Sequence, residues 1–368
     1  MDFLKYINPG IESINPYEAG KSIEEVMEKY NLEDIVKLAS NENNSGPSPR
    51  ALKVIKYFKD LHIYPDGDAI KLKTKISEVE NIDSEQIIIG NGSNEILEII
   101  SKTFLSSNTE SIFSKHAFIV YKLVSKVCGS KFHEIDTCDW GHDLDKFLEK
   151  INDKTRLIFI ANPNNPTGTY LEKKELINLR KKLNNKILLV VDDAYDEYMK
   201  DKNYSSGLNI FKNKKNVFIL RTFSKIYGLA SLRVGWGYGD RKIINALNMI
   251  KPPFNVNKIA QLCAIESLKD SKFITKSVKH NLFWSKKIKN SLEQFNIFCN
   301  KVSANFLLLN FDKCKLSANN VEKKLLKKGL ILRDTKIYRI KNCLRLTIGN
   351  NLENKLFLKS INRIFNNV

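Results

Sequence analysis

The sequence predicts an α/β protein. A mostly parallel sheet covered by helices on both faces is followed by a smaller α+β domain. Three observations carry this. From about residue 85 to 240, short apolar runs alternate with amphipathic helical patterns, as in repeated strand–helix units. The last hundred residues lose that alternation and mix longer helical patterns with a few strands. The chain has 368 residues, 42% hydrophobic and 27% charged, which is ordinary globular composition with room for roughly two or three domains. Pervasive disorder and fibrous architectures are excluded.

In order, QIIIG (86–90) reads as a buried strand. NEILEIISKTF (94–104) reads as a helix with Ile96, Leu97, Ile100 and Phe104 on one face. ESIF (110–113) is a strand, followed by a helix near 119–128 and a strand at 131–135. RLIFIAN (156–162) is a strand and LEKKELINLRKKL (171–183) a helix. ILLVVDDAY (187–195), NVFILRT (216–222) and SLRVGWGYG (231–239) are strands, seven in all. Helices then cover about 257–269 and 272–296. A strand at 306–310, a helix at 319–328, strands near 330–333 and 343–348 and a helix at 352–366 close the chain. This divides it into an N-terminal arm with part of the small domain (1–45), a large domain (46–265) and a small C-terminal domain (266–368). The polar NENNSGPSP (41–49) reads as a hinge. A ligand is expected at the carboxyl ends of the parallel strands, beside the second domain.

Lys and Arg number 60 and Asp and Glu 41, a formal charge of +19. Such charge attracts anions. Yet KKELINLRKKLNNK (173–186) and VEKKLLKKGL (321–330) interleave Lys with Leu and Ile at helical spacing. The lysines therefore read as solvated helix faces, and nucleic-acid binding is not expected. Apolar runs such as ILLVV (187–191) are far shorter than a membrane span needs. MDFLKYINPG has no basic region followed by an apolar core, so a cytoplasmic address is expected. The six cysteines form no C-x-x-C pair and the five histidines no ligand cluster. Reduced, mostly buried thiols and no metal site are expected.

Four segments carry chemistry. IIIGNGSNEIL (87–97) is a strand, a glycine turn and a helix start, where the N–H groups of Gly92, Ser93 and Asn94 could hold a phosphate; Ser93 could equally be a plain N-cap. ANPNNPTGTY (161–170) makes a constrained loop at a strand's end. VVDDAYDEY (190–198) places Asp192 at another strand's carboxyl end, able to pair with a cationic ring nitrogen, and offers the Tyr195 phenol three residues on. Asp193, Asp196 and Glu197 read as a surface acidic turn. RTFSKIYGLASLRVGWG (221–237) gathers Thr222, Ser224, Lys225 and Arg233 at a strand end among apolar residues. A desolvated lysine there would suit Schiff-base chemistry with an aldehyde, and Arg233 could reach the same phosphate as Ser224.

Together with LASNEN (38–43), YPDG (64–67), PPFNVN (252–257), ILRD (331–334) and LRLTIG (344–349), these segments resemble the fold-type I pyridoxal-phosphate enzymes of the aspartate-aminotransferase superfamily. Over nearly the whole chain they are similar to the histidinol-phosphate aminotransferase family. The resemblance implies a large domain with a mostly parallel seven-stranded sheet, pyridoxal 5'-phosphate as cofactor, and a homodimer. It implies that Lys225 bonds the cofactor's aldehyde carbon and later moves a proton, and that Asp192 pairs with the pyridine nitrogen. Asn165 and Tyr195 would meet the phenolic oxygen and Phe118 would stack on the ring. Gly92, Ser93, Asn94, Thr222, Ser224 and Arg233 would hold the phosphate, with Tyr64 reaching it from a neighbouring subunit. Arg345 would grip the substrate's anionic group, with Arg333, Tyr17 and Asn41 beside it; the plain alternative for Arg333 is a surface ion pair with Asp334. Where the family reads N-E-N-P-x-G, this chain has NENNSG, with Asn44 in place of proline, a looser hinge. Tyr338 and Arg339, in DTKIYRIKNCL, are not placed by the resemblance.

The activity implied is exchange of an amino group between histidinol phosphate and 2-oxoglutarate, in histidine biosynthesis. An aromatic amino-acid aminotransferase would use Lys225, Asp192 and Arg345 identically. A decarboxylase of a phosphorylated amino acid would release carbon dioxide. A non-catalytic basic binding protein on the same scaffold would have no need of Lys225.

Overall fold

A computed structural model describes residues 3–7, 10–14, 16 and 20–366. A first short strand, β1 (Val36–Leu38), precedes the main sheet, which contains β2 (Ile87–Gly90), β3 (Glu110–Ser114), β4 (Lys131–Ile135), β5 (Thr155–Ala161), β6 (Leu188–Asp192), β7 (Val217–Thr222) and β8 (Gly235–Tyr238). Their order is β2-β8-β7-β6-β5-β3-β4. Every pairing is parallel except those of β8, which runs against both β2 and β7. The second sheet has order β1-β11-β12-β10-β9, from β9 (Phe298–Cys299), β10 (Phe306–Asn310), β11 (Leu330–Asp334) and β12 (Cys343–Thr347). β1 pairs parallel to β11, Val36 opposite Leu330, so the N-terminal arm is stitched into the small domain.

Strand periodicity sorts the main core into two layers. Ile158, Ile160, Leu189 and Val191 face one cluster, and Leu157, Phe159, Leu188 and Val190 face the other. Each such side chain, fully buried, contributes about 1.5–3 kcal/mol. A third cluster, with Leu307, Leu309, Leu344, Leu346 and Phe357, lies under the small sheet. The helix Ser271–Glu293 joins the two domains, packing Val278 on the main core and Trp284, Ile288 and Leu292 on the small one. The 265/266 boundary expected from sequence falls inside the helix Lys258–Leu268, whose Ala260, Cys263 and Ala264 belong to the main core.

The lysine-rich segments are solvated helices. Lys173–Lys182 buries Leu176 and Leu179, and Ala318–Leu326 buries Val321, Leu325 and Leu326. The strand expected from 231 begins only at Gly235, because Ala230–Leu232 is a 3-10 turn and Arg233 has φ 53°. Phe104, expected on the buried helix face, is half-buried. Cys263, Cys299 and Cys343 are buried, Cys128 and Cys314 are intermediate, and Cys138 is exposed. No helix among the described residues is long and apolar enough to cross a membrane.

Segment 41–49 is not a loose hinge. Asn41 is buried, its N–H donates to Thr347 Oγ1 (2.9 Å), and Asn305 donates to its carbonyl (3.0 Å). Asn43 donates to the Ile226 carbonyl (2.8 Å). Asn44 donates to Glu353 Oε2 (2.8 Å), so a hydrogen bond to the last helix stands where the resemblance leads one to expect proline.

Candidate active site

The carboxyl ends of β2, β5, β6 and β7 open into one cavity of about 280 Å³, closed on the far side by the small sheet. Ser93, Asn94, Phe118, Asn165, Asp192, Tyr195, Thr222, Ser224, Lys225, Arg233, Arg333, Arg345 and Asn41 all line it. Residues from eight separate segments between Asn41 and Arg345 therefore converge where an open parallel sheet places its ligands.

At one end lies an anion cradle. Gly92 caps the helix Ser93–Phe104 with φ 78°, a conformation glycine adopts at little cost. A Cβ on Gly92 would lie 2.3 Å from Arg233 Nη2. A Cβ on Gly235 would lie 2.7 Å from the Ser93 nitrogen. The two glycines let the helix start, its free N–H groups and a guanidinium meet backbone to backbone. Arg233 Nη1 donates to Ser224 Oγ (3.3 Å) and to the Ala230 carbonyl (3.0 Å), and the Ser224 N–H donates to Thr222 Oγ1 (3.0 Å). Glu95 accepts from the Asn91 N–H (2.6 Å) and Asn255 Nδ2 (2.5 Å), which ties the PPFNVN loop to this turn.

At the other end is a buried acid. Asp192 takes hydrogen bonds from the Tyr121 hydroxyl (2.8 Å) and the Ala194 N–H (3.2 Å). Burial raises its carboxyl from 3.8 to about 6, against those two bonds and the Lys225 charge. Tyr121 is a site residue the sequence reading missed. It is fully buried, stacks on Phe159 (centroids 4.9 Å) and meets Phe118 edge-on (5.9 Å). Its signal was its place three residues after Phe118, in the first turn of the helix Val120–Val127 that follows it.

Between the two ends, the half-buried Lys225 donates to the Ser40 carbonyl (3.2 Å) and lies over the Tyr195 ring at 5.8 Å. Desolvation, then the Arg345 and Arg233 charges, lower its pKa to about 8, against Glu42 and Asp192. Tyr195 accepts from Asn41 Nδ2 (2.9 Å), and burial holds its phenol above the usual range. Asn165 Oδ1 accepts from Arg345 Nη1, and Arg345 Nη2 donates to the Ala39 carbonyl (2.5 Å). Arg345 Nε is buried with no partner among the described residues.

Asp193, Asp196 and Glu197 do not form the surface turn expected. Asp193 is fully buried, and Asp196 (2.8 Å) and Glu197 (3.5 Å) pair with the buried Arg221, which also meets Glu80 (3.5 Å). This cluster anchors the loop that carries Tyr195. The alternative for Arg333 is likewise overturned. Asp334 pairs with Lys336 (3.9 Å), while Arg333 is buried and faces the cavity beside Gly20. The reason is strand alternation: consecutive residues of β11 point to opposite faces. Tyr338 also lines the cavity, and His116 Nδ1 donates to its carbonyl (2.6 Å). Arg339 points away and pairs with Glu134 (3.2 Å). Tyr64 lies outside the cavity, 78% exposed and stacked on Phe254 (4.8 Å). Tyr17 lies outside the described residues.

The donor set fits an aromatic aldehyde bearing a phosphate. It offers a helix-start anion cradle, a buried acid at the opposite end and an amine of lowered basicity between them. Comparison with known proteins agrees. Residues 33–361 match the family model described as aminotransferase class I and II. A histidinol-phosphate aminotransferase of Pelagibacter ubique is 51% identical over 355 residues, 96% of this chain and 97% of that one. One from Caldicellulosiruptor saccharolyticus is 41% identical, covering 96% and 98%. The crystal structure of histidinol-phosphate aminotransferase from Sinorhizobium meliloti, in complex with pyridoxal-5'-phosphate, superposes with a TM-score of 0.89 at 21% identity, covering 98% of each chain.

Proposed function

The chain belongs to the class I and II aminotransferases, and from that membership we propose that it exchanges the amino group of histidinol phosphate with 2-oxoglutarate, giving imidazole-acetol phosphate and glutamate. One observation carries the substrate class. Arg333 and Arg345 stand directly opposite each other in the β11–β12 register, both buried and both facing the cavity. Like charges so paired repel. A phosphate dianion or a carboxylate lying between them offsets that cost, and guanidinium forks suit both groups. The cradle at Gly92–Asn94 serves the cofactor's phosphate, so the arginine pair is a second, separate anion site.

Bound pyridoxal phosphate supplies an aldehyde carbon for the amino group and a ring that accepts the electron pair left when the α-proton departs. The chain's own residues do the rest. Lys225, at a pKa of about 8, has a neutral fraction near pH 7 that can bond a carbonyl carbon and carry a proton at Nζ. Asp192, fixed by Tyr121 and Ala194, keeps a proton on the ring nitrogen. Asn165 and Tyr195 address the phenolic oxygen, and Phe118 covers the ring. One amino donor leaves as its keto product before the acceptor enters. The active unit is a homodimer in the cytoplasm. The exposed Leu61 and Tyr64, with Phe254 stacked on Tyr64, mark the face a second copy covers, with Tyr64 serving the neighbouring cradle.

The test is a half-reaction. Holoenzyme mixed with histidinol phosphate, glutamate or phenylalanine should lose its cofactor absorbance band with the first two far faster than with the third. Arg333→Ala should raise KM for histidinol phosphate about 10–100-fold, the usual scale for a lost charged contact, and spare phenylalanine. Equal losses on both would remove Arg333 from substrate recognition. Release of carbon dioxide would make the protein a decarboxylase.

A further inference from the structure

A second cavity, of about 610 Å³, adjoins the first and shares Gly20 and Arg333 with it. It lies between the N-terminal arm, the helix Val120–Val127 and the turn Lys336–Tyr338. Among the described residues six cations line it: Lys21, Lys122, Lys126, Arg333, Lys336 and Arg339. Among the same described residues two carboxylates do, Glu322 and Asp334. Glu322 holds Lys21, and Asp334 is 3.9 Å from Lys336. A third carboxylate, Glu134, sits behind the wall and bridges Lys122 and Arg339, each at 3.2 Å. Lys126 donates to the Ser13 carbonyl. Among the described residues, six cations against three acids make the lining predominantly positive. The wall between them is apolar, with Ile119, Leu123, Leu332 and Ile337.

We propose that this groove is a cationic vestibule that draws phosphate-monoester substrates to Arg333 and on into the active-site cavity. A cleft of one charge sign with low-dielectric walls focuses field lines and raises the local concentration of the opposite ion, by ~10-fold or more at low salt. Among the described residues Arg333 is the one cation common to both cavities, and it stands at the inner end of the groove. Lys336 and Arg339, 75% and 50% exposed, stand toward solvent. The groove thus runs from exposed to buried charge, and an incoming phosphate sheds water in stages. The vestibule touches no reacting atom, so its effect falls on capture and not on turnover. The inference rests on the phosphorylated substrate proposed above.

The test compares three proteins as holoenzymes: wild type, Lys336→Gln/Arg339→Gln, and Lys355→Gln/Lys359→Gln. The last pair removes the same charge from exposed positions on the C-terminal helix, outside the groove. At ionic strength near 0.01 M, the groove variant should lose about three- to tenfold in kcat/KM for histidinol phosphate with kcat unchanged. The gap should close toward 1 M salt, where the screening length falls to about 3 Å. The helix variant should match wild type, and Lys336→Arg/Arg339→Lys should restore the rate. Equal losses in both Gln pairs, a loss that salt does not remove, or a fall in kcat to the same degree would each overturn the vestibule. A wild type that reacts with glutamate but not with histidinol phosphate would overturn the parent reading and this one with it.

Discussion

At the scale of single residues, the site is built from groups held in states that cost stability. Asp192 has a carboxyl raised from 3.8 to about 6 by burial. In the cofactor-free fold this penalty is absent below about pH 4, grows through the interval and is complete above pH 6. It amounts to at most about 3 kcal/mol. Asp192→Asn keeps an acceptor for Tyr121 but carries no charge. Its cofactor-free form should melt at or above the wild-type temperature at pH 7, while activity drops at least ~100-fold. Retention of near-wild-type activity would detach Asp192 from the ring nitrogen. Lys225 has the complementary sign. Its pKa is lowered to about 8, so the cost of its charge is present at neutral pH and is relieved as pH rises from 8 to its unfolded value of 10.5. Tyr121 supplies one of the two hydrogen bonds that hold Asp192. Tyr121→Phe should weaken cofactor binding about tenfold, the worth of a bond to a charged group, as read by titrating the apoprotein. Unchanged affinity would make Tyr121 mere packing.

At the scale of elements, three of the candidate site residues stand where a regular element starts or stops. Asp192 ends β6, Thr222 ends β7, and Ser93 starts a helix. The strands and main helices were legible because periodicity reports which face is buried. Three features were not. The acidic turn after Asp192 is buried because Arg221 on β7 and Glu80 on a distant helix come to meet it, and no local pattern signals that. The start of β8 moved because Arg233 adopts a left-handed conformation to aim at the cradle. The 41–49 segment is fixed by asparagine hydrogen bonds to residues some 180 to 310 positions away. Glu353 is the common acceptor for Asn44 (2.8 Å) and the Asn350 N–H (2.7 Å). Glu353→Ala should therefore cost about 1–2 kcal/mol, seen as a melting point lower by a few degrees, with kcat within about twofold. A large kcat loss with no change in melting would mean that the segment acts on the chemistry directly.

At the scale of the whole molecule, two sheets enclose the cavity, and the chain crosses between them more than once. β1 leaves the N-terminus for the small sheet, and the helix Ser271–Glu293 ties the two cores together. An exposed apolar face remains around Leu61 and Tyr64, 80% and 78% accessible. That is the kind of patch another subunit covers. On the homodimer proposed above, Leu61→Asp should shift sedimentation from dimer to monomer and lower activity, since the proposed reach of Tyr64 into a neighbouring cradle would be lost. A wild type that sediments as a monomer would place the interface elsewhere or nowhere. By itself the sequence determined the alternation of strands and helices, the family, and which residue types stand at each strand end. These are local: they follow from side-chain periodicity, turn chemistry and short motifs. Only the tertiary structure decided that Arg333 faces Arg345 across two strands and that Tyr121 supports Asp192. It alone decided that the acidic turn closes on Arg221 and that a basic groove meets the cavity at Arg333. Each of those depends on which face a residue presents and on what a remote segment brings against it, and burial and charge pairing settle that only once the chain is folded.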